Sequence, residues 1–223
     1  MTTLPSRLEQ IKPSMVSVLD QVSFLEINIP HTCKRTNETY TIPDWLKSMQ
    51  RVKIFRCEDC GPATKIIDTL KRHKNAYVFI MDDDTIYHKT IIRDLLKVSR
   101  QKRAVCVSGI DFVNGSYRQA TNLPQVMEGF GGILLPPHNY TDFEYFEQVL
   151  KNPDCFLGDD VVFSNWLKKH GFELWKTKTA FPLQVQLGLN DPNALHKQNN
   201  MAERYYRIIK WLRENNMMYL NIN

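Results

Sequence analysis

The sequence of 223 residues lacks the features that mark membrane-spanning, secreted and disordered chains. No apolar run approaches the roughly 20 residues that a helix needs to cross a bilayer, and residues 1–7 carry no hydrophobic signal core. The five cysteines are an odd number and do not indicate a disulfide framework. There is no internal repeat, low-complexity stretch or linker. These absences predict a soluble, cytoplasmic protein with reduced thiols and one compact domain.

A strong charge of either sign is also missing. Lysine and arginine total 29 against 24 acidic residues, a net charge of +5, which suits an anionic ligand such as a nucleotide without requiring nucleic acid. The basic residues near the end of the sequence recur at helical spacing and indicate a solvated helix face. They are Arg204, Arg207, Lys210 and Arg213.

The most informative stretch is residues 77–85, in which an apolar run is followed at once by Asp82, Asp83 and Asp84. A short apolar run without helical spacing indicates a strand buried on both faces, and ligands of open α/β sheets lie beyond the carboxyl ends of such strands. Three adjacent acids repel one another unless a cation lies among them. Carboxylates suit Mg²⁺ or Mn²⁺ together with the phosphates of a substrate. The alternative is a solvated acidic turn.

Apolar periodicity predicts alternating helices and strands in the first half of the chain. Helices are predicted over residues 7–22 (with a kink or late start at Pro13), 43–49, 62–73, 91–100, 143–150, 159–171 and 205–212. Strands are predicted over residues 24–29, 52–55, 77–81, 104–107, 133–135 and 172–175. Residues 31–41, 111–125, 154–158 and 181–195 are predicted to be loops, with a turn at Asn114-Gly115. The alternation predicts an α/β domain with a central, mostly parallel mixed sheet flanked by helices.

An acid pair, Asp159-Asp160, opens a predicted helix directly after Gly158. One interpretation is helix capping, which stabilises a helix by roughly 1 kcal/mol. Two acids in succession exceed what a cap needs, so the other interpretation makes one of them a general base toward an alcohol.

Glycines and metal-ligand residues leave further alternatives open. Three glycines within residues 129–132 either let the backbone approach a ligand or form a bulge at the start of a strand. Cys57-x-x-Cys60, with His31 and Cys33 upstream, is a weak zinc signal. His196 is either a surface residue or a further metal ligand.

Taken in order, these pieces resemble the nucleotide-sugar-dependent glycosyltransferases of the GT-A fold. The cluster at residues 82–84 matches the DXD motif of that group, residues 3–7 resemble its T-x-P-x-R stretch, and residues 59–65 resemble its D-x-G-P-x-x-K stretch. The glycines of residues 129–132 and the motif at residues 158–160 follow in the expected order. Within the group, the resemblance extends to the capsid-glycosylating enzymes of large algal DNA viruses of the chlorovirus type.

The resemblance implies a single Rossmann-like GT-A domain over residues 1–223, with a nucleotide-binding half (1–110) and an acceptor half (111–223). It also implies that the first strand is very short or that the chain is an excised piece of a longer protein. A UDP-sugar donor, a glycan or glycoprotein acceptor and a host-cytoplasmic location are implied, without nucleic acid or a membrane span.

The implied site residues fall into four sets. Donor binding is assigned to Thr3, Leu4, Pro5, Arg7, Asp59, Gly61, Lys65, Asp82 and Asp83, with Asp82 or Asp83 on the ribose. Mn²⁺ or Mg²⁺ is assigned to Asp84, Asp82 and His196. The catalytic base is Asp160 or Asp159. Acceptor binding is assigned to Gly131 and Gly132. Two other functions stay open: metal-dependent nucleotidyl or phosphoryl transfer, which requires further carboxylates near residues 82–84, and a zinc-stabilised binding module.

Overall fold

The computed structural model describes residues 1–113, 116–179, 184–185, 195 and 201–222, with the backbone alone for 184 and 185. Its helices are α1 (Lys12–Leu19), α2 (Asp44–Lys47), α3 (Ile67–Arg72), α4 (Ile91–Leu96), α5 (Glu144–Val149), α6 (Pro153–Leu157), α7 (Asp159–Lys169) and α8 (Met201–Glu214). Its strands are β1 (Leu25–Pro30), β2 (Val52–Cys57), β3 (Val78–Ile80), β4 (Thr85–Ile86), β5 (Arg103–Val113), β6 (Ser116–Gln119), β7 (Val126–Leu135), β8 (Glu173–Lys176) and β9 (Gln184–Val185). Short 3₁₀ turns lie at Pro5–Arg7 and Ala63–Lys65. Pro13 lies in the first turn of α1, so the predicted late start of that helix is confirmed.

The central sheet is mixed, as predicted, with the strand order β3-β7-β5-β6 and with β8 on the other side of β5. Most of its strand pairs are antiparallel, whereas the sequence predicted a mostly parallel sheet. β7 runs antiparallel to both β3 and β5, and β5 runs antiparallel to β6. Within this sheet β5 runs parallel to β8, while β1 and β2 form a separate two-stranded parallel sheet. Strand direction depends on long-range pairing, which local apolar patterns do not specify.

Two segments that were predicted to be irregular contain ordered elements, so each prediction is wrong for part of its length. Residues 111–125 contain the end of β5 and all of β6, where Phe112 pairs with Tyr117 across the two strands. Their rings lie edge to face at 6.4 Å, a contact that stabilises a strand pair. The predicted turn at residues 114–115 lies outside the described residues.

The predicted loop at residues 154–158 is largely helix α6. Asn152 caps this helix, because its Oδ1 accepts hydrogen bonds from the backbone N–H groups of Asp154 at 2.9 Å and Cys155 at 3.2 Å. Pro153 occupies the first helical position. An Asn cap followed by Pro is a strong signal for the start of a helix. The segment has too few apolar residues to show a helical period, so the sequence reasoning did not predict the helix.

Alternate residues of the long strands contribute to two hydrophobic cores. Ala104 and Cys106 of β5 pack in the core that holds α5, α7 and α8. Val105, which lies between them, packs in the core that holds β1, α1 and α4. Helices therefore cover both faces of the sheet, as in other α/β folds. Within the described part of the chain, no helix is long and apolar enough to cross a bilayer.

Candidate active site

A cleft of about 410 Å³ lies where the acid cluster after β3 meets the start of α7. This volume is in the range of small-molecule sites. Its lining comes from both ends and the middle of the chain: Thr2, Thr3, Leu4, Arg7, Pro30, Cys33, Arg35, Tyr40, Asp59, Gly61, Pro62, Lys65, Asp82, Asp83, Asp84, Glu128, Phe130, Phe156, Leu157, Asp159, Asp160, Leu195, Met201, Arg204 and Tyr205.

Lys65 connects the two acidic motifs at the centre of the cleft. It lies at the end of the turn Ala63–Lys65 and is only 4% exposed. Its Nζ contacts Oδ1 of Asp82 and lies 2.8 Å from Oδ2 of Asp159. Burial alone lowers the pKa of a lysine, but the carboxylates of Asp159 and Asp82 raise the pKa of Lys65 well above its ordinary value. Lys65 is therefore a charged side chain that holds the two motifs together.

Asp83 is held by two residues from the beginning of the chain. The hydroxyl of Thr3 donates to Oδ2 of Asp83 at 2.6 Å, and Nη1 of Arg7 lies 3.0 Å from its Oδ1. The same Arg7 nitrogen lies 3.3 Å from Oδ2 of Asp84. The side chain of Asp83 is 9% exposed, whereas the side chains of Asp84 and Asp82 are 21% and 27% exposed. Asp83 therefore anchors the N-terminal segment, while Asp82 and Asp84 face the open cleft.

Asp160 receives hydrogen bonds from two other elements. The backbone N–H of Gly129 donates to its Oδ1 at 2.8 Å, and the hydroxyl of Tyr205 donates to its Oδ2 at 3.0 Å. Burial and the charge of Asp159 raise the pKa of Asp160 well above its ordinary value, against the opposing effect of Lys65. Gly158 is the N-cap of α7, and no side chain caps that end. The acid pair therefore faces the cleft and does not cap the helix.

Gly129 allows these charged groups to converge. A Cβ at this position would lie 3.1 Å from Nζ of Lys65 and 3.2 Å from Oδ1 of Asp160. Both distances are shorter than ordinary van der Waals contact, and both neighbours are fixed by their own bonds. A glycine in the middle of β7 is therefore a condition for the close approach of β7 to the acids.

Acidic charge exceeds basic charge around these contacts. Within the described part of the chain, Arg7 and Lys65 contact four carboxylates, those of Asp82, Asp83, Asp84 and Asp159, and the charge of Asp160 also acts on Lys65. Burial and the charges of Asp82 and Asp83 raise the pKa of Asp84 to about 6. A carboxylate in such surroundings is stabilised by a bound cation.

The chemistry of these side chains fits a divalent ion whose coordination a substrate completes. No three His, Cys, Asp or Glu side chains among the described residues are arranged as a metal-binding group. Mg²⁺ commonly uses one or two carboxylates, with substrate phosphates and water as the remaining ligands. Asp84 and Asp82 are the carboxylates of the cluster that keep the most exposure toward the cleft. His196 lies outside the described residues.

Most of the donor-binding residues predicted from sequence line the cleft, namely Thr3, Leu4, Arg7, Asp59, Gly61, Lys65, Asp82 and Asp83. Pro5 begins the turn Pro5–Arg7 and is not among the lining residues. Gly131 and Gly132 do not line it either. A Cβ on Gly131 would lie 2.9 Å from the backbone N of Ser108, and one on Gly132 would lie 2.4 Å from the Phe79 ring. These two glycines serve packing within the sheet, while Glu128 and Phe130 of the same strand face the cleft.

Asp59 and Gly61 shape the loop beside the cleft. Asp59 accepts hydrogen bonds from the backbone N–H groups of Lys34 at 2.7 Å and Gly61 at 2.8 Å. Gly61 has a φ of +63°, and a Cβ there would lie 2.2 Å from the carbonyl oxygen of Phe156. Both features require glycine, so the loop is fixed against α6.

Several polar residues of the cleft were missed by the sequence reasoning, among them Glu128, Arg204 and Tyr205. Glu128 is buried in β7, where it accepts hydrogen bonds from the hydroxyl of Ser108 at 2.6 Å and the amide of Gln119 at 3.2 Å. A single acid in an otherwise apolar strand is a signal of function that could have found it. Tyr205 and Arg204 belong to α8.

The predicted solvated basic face of α8 is wrong for Arg204, which is 2% exposed. Arg207, Lys210 and Arg213 are exposed, as predicted. Arg204 precedes the buried Ile208 by four residues, so helical geometry places it on the buried face. In the sequence, the spacing of the apolar residues in α8 is the signal that identifies Arg204 as buried.

The residues proposed for a zinc module do not form a metal-binding group. Cys33 and Cys57 are buried and His31 is exposed, and the described residues contain no cluster of three or more suitable ligands. Burial raises the pKa of Cys57 to about 12 and raises the pKa of Cys60 as well. Buried neutral thiols of this kind are structural.

Comparison with known proteins leaves the activity to be inferred from the cleft itself. No protein-family model and no curated protein sequence matches the chain. Among solved structures, the chain is similar to a putative glucose-1-phosphate thymidylyltransferase from Bacillus anthracis, in complex with sucrose. The similarity covers 88% of this chain and 86% of that chain, with 12% sequence identity and a TM-score of 0.45. At that level it does not identify an activity.

Proposed function

We propose that the chain is a divalent-metal-dependent glycosyltransferase that moves a sugar from a UDP-sugar to a hydroxyl group of a carbohydrate or glycoprotein glycan. The proposal rests on one observation. Lys65 brings the acid cluster after β3 and the acid pair of α7 together in a single cleft, although they are far apart in sequence. One motif suits a metal diphosphate and the other suits an acceptor hydroxyl.

The nucleoside end of the donor is assigned to the part of the cleft near the N-terminal segment. Thr3 and Leu4 lie there, and the hydroxyl of Tyr40 donates to the carbonyl oxygen of Thr3 at 3.0 Å. Tyr40 and the neighbouring loop at Asp59 are buried and tied to the backbone. A preformed wall of this kind lowers the entropy cost of binding a flat ring.

The diphosphate end is assigned to the acid cluster with its metal. Asp84 and Asp82 would hold Mn²⁺ or Mg²⁺, since both keep exposed oxygens, whereas Asp83 is occupied by Thr3 and Arg7. The bound ion would supply Lewis-acid stabilisation of the departing diphosphate. Arg7 and Lys65 fix the orientation of the carboxylates, which is the preorganisation that electrostatic catalysis requires.

Asp160 is assigned as the general base. The pKa of Asp160 is raised, and a carboxylate with a raised pKa is a stronger base. It therefore removes a proton from an alcohol more readily at neutral pH. The N–H of Gly129 and the hydroxyl of Tyr205 orient both of its oxygens. Asp159 is bound to Lys65 and therefore has a positioning role. A base in this position suits direct displacement at the anomeric carbon.

A second candidate is metal-dependent nucleotidyl transfer, in which a sugar phosphate attacks the α-phosphate of a nucleoside triphosphate and pyrophosphate leaves. This reaction requires further carboxylates beside the acid cluster for a two-metal site. Glu128 favours it, because β7 pairs directly with β3 and Glu128 lines the same cleft. The hydrogen bonds of Glu128 to Ser108 and Gln119 count against a role as metal ligand.

A thermal-shift panel separates these functions. The panel contains UDP, several UDP-sugars, nucleoside triphosphates and sugar 1-phosphates, each with and without Mn²⁺. A ligand of the folded state raises stability by RT ln(1 + [L]/Kd), about 2.7 kcal/mol at a concentration of 100 Kd. We expect a Mn²⁺-dependent shift with UDP and with one UDP-sugar. A shift with a triphosphate, together with release of pyrophosphate from that triphosphate when a sugar 1-phosphate is added, would indicate the nucleotidyltransferase. No shift with any nucleotide would overturn both.

A further inference from the structure

Arg204 differs from the other basic residues of α8. Arg207 is exposed and lies 2.8 Å from each carboxylate oxygen of Asp154. Arg204 is 2% exposed and lines the cleft, and its Nη2 has no hydrogen-bond partner among the described residues. A buried donor without a partner costs free energy, and a buried charge costs more. Such a group is retained where a ligand completes its hydrogen bonds.

Other basic residues already bind three carboxylates in this region, those of Asp154, Asp82 and Asp159. Arg207 takes both oxygens of Asp154, which is a carboxylate that feels the charge of Arg204. In the cleft, Lys65 holds Asp82 and Asp159. The free donor of Arg204 is therefore available to an anion that enters from solution.

The end of α8 adds to this preference. The helix is 14 residues long, and its first-turn residue Met201 lines the cleft together with Arg204 and Tyr205. The N-terminus of a helix carries a partial positive charge and favours anions. The helix end and the buried guanidinium thus favour the same kind of ligand.

We propose that Arg204 binds phosphate oxygens of the donor's diphosphate from the α8 side of the cleft. This inference rests on the proposed function, because it names the part of the substrate that Arg204 recognises. A guanidinium presents a planar fork of donors that matches phosphate geometry. Arg204 then stabilises the negative charge of the diphosphate as the bond between sugar and phosphate breaks. It supplies this charge without drawing on Arg7 or Lys65, which are committed to carboxylates.

The test compares Arg204→Met and Arg204→Gln with a control, Lys210→Met, which removes an exposed basic residue of the same helix that lies near Glu214 and does not line the cleft. Calorimetric titrations use inorganic pyrophosphate, UDP and uridine, each with Mg²⁺. Loss of a charged hydrogen bond predicts a fall in affinity for pyrophosphate and UDP of about 10- to 100-fold in both Arg204 variants. Affinity for uridine should be unchanged, and the control should bind all three as the wild type does.

Melting temperature without ligand distinguishes binding from a structural role. Removal of a buried, incompletely paired charge should leave the melting temperature unchanged or raise it, whereas loss of a structural contact lowers it. If the variants bind UDP and pyrophosphate with the same affinities as the wild type does, the inference is overturned and the proposed function is left intact. A wild type that binds pyrophosphate through Arg204 but binds no nucleotide would overturn the proposed function instead. A lowered melting temperature in both variants, with normal affinity, would assign Arg204 to the fold.

Discussion

The hydroxyl of Tyr205 lies 3.0 Å from Oδ2 of Asp160 and donates a hydrogen bond to it. Tyr205 belongs to α8 and Asp160 to the first turn of α7, so this bond joins the two helices at the cleft. Burial and the charge of Asp160 raise the pKa of Tyr205 well above its ordinary value. Tyr205 therefore remains a donor at physiological pH and fixes the orientation of Asp160.

The first prediction concerns this bond. Tyr205→Phe removes the donor and retains the ring, so Asp160 should lose its orientation while the packing of α8 survives. We expect kcat to fall about 10-fold, the equivalent of about 1.4 kcal/mol for a buried hydrogen bond, with little change in the Kd of UDP. Steady-state kinetics and UDP titration measure the two effects. The neighbouring residue Tyr206 is 40% exposed, and Tyr206→Phe should match the wild type.

The second prediction tests the general base. Asp160→Asn preserves the size of the side chain and can accept the hydrogen bond from Gly129, but it cannot take a proton. Transfer should fall by about 10²- to 10⁴-fold, which is the usual contribution of general base catalysis, while UDP binding with Mn²⁺ is retained. Product formation and UDP titration provide the two readouts. Turnover that survives in this variant would place the base elsewhere; Glu147→Gln, on the exposed face of α5, serves as the control.

The third prediction concerns stability and pH. The raised pKa of Asp160 means that the folded protein retains a proton that the unfolded chain releases near pH 4. This difference in proton binding contributes to the free energy of unfolding. The contribution is fully present below the pKa that Asp160 has in the unfolded chain, and it is lost as pH rises through the pKa that Asp160 has in the folded protein. The Asp160→Asn variant has no such proton, so its free energy of unfolding relative to wild type should increase as pH rises above about 4. Urea unfolding at a series of pH values measures it, and a difference that stays constant with pH would contradict the assignment.

Some of the site was predictable because its signals are local. The apolar run at residues 77–81 and the acids after it are contiguous; β3 lies within the run, and the three acids line the cleft. The acid pair after Gly158 begins α7, and the predicted helix there is confirmed. In both cases a change from apolar to acidic residues marks the end or start of an element, so a short window of sequence contains the whole signal.

Other parts depend on contacts between distant residues. The even spacing of the basic residues in α8 does not distinguish a solvated position from a buried one. The packing of Ile208 against Gly158 shows that the side of α8 that carries Arg204 is buried. The direction of β3 follows from its pairing with β7. The hairpin of β5 and β6, in contrast, has a local signal, because an Asn-Gly pair such as Asn114-Gly115 is typical of hairpins. The sequence reasoning interpreted this pair only as a turn within an irregular segment.

The fourth prediction tests the metal assignment. In Asp84→Ala one of three crowded carboxylates is lost, and its raised pKa indicates that its ionised form is unfavourable without a cation. The unliganded variant should therefore melt at or above the wild-type temperature, while the Mn²⁺-dependent shift with UDP disappears. Thermal-shift assays measure both, and normal turnover by Asp84→Ala would refute the role of this residue. Asp44→Ala removes an exposed acid of α2 that pairs with Lys47 and is the matched control.

The fifth prediction concerns the centre of the cleft. Lys65→Met removes the buried cation that Asp82 and Asp159 share, and breaking a buried ion pair in this way costs about 3–5 kcal/mol. Urea unfolding should show a loss of this order. Adding Asp159→Asn to Lys65→Met should recover part of it, because one uncompensated carboxylate is removed with the cation. Lys71→Met, on the exposed side of α3 with Asp68 at 3.6 Å, should change stability by about 0.5 kcal/mol or less.

The cleft joins residues near the two ends of the chain. Thr3 reaches Asp83, and Tyr205 reaches Asp160. Contacts between residues so distant in sequence form late in folding, because the intervening chain must close first. A nascent chain therefore has no complete cleft until α8 has been synthesised and has docked on α7. A ligand that fills the cleft would contact the segment around Thr3 and the first turn of α8 together, so its binding would report that both have docked.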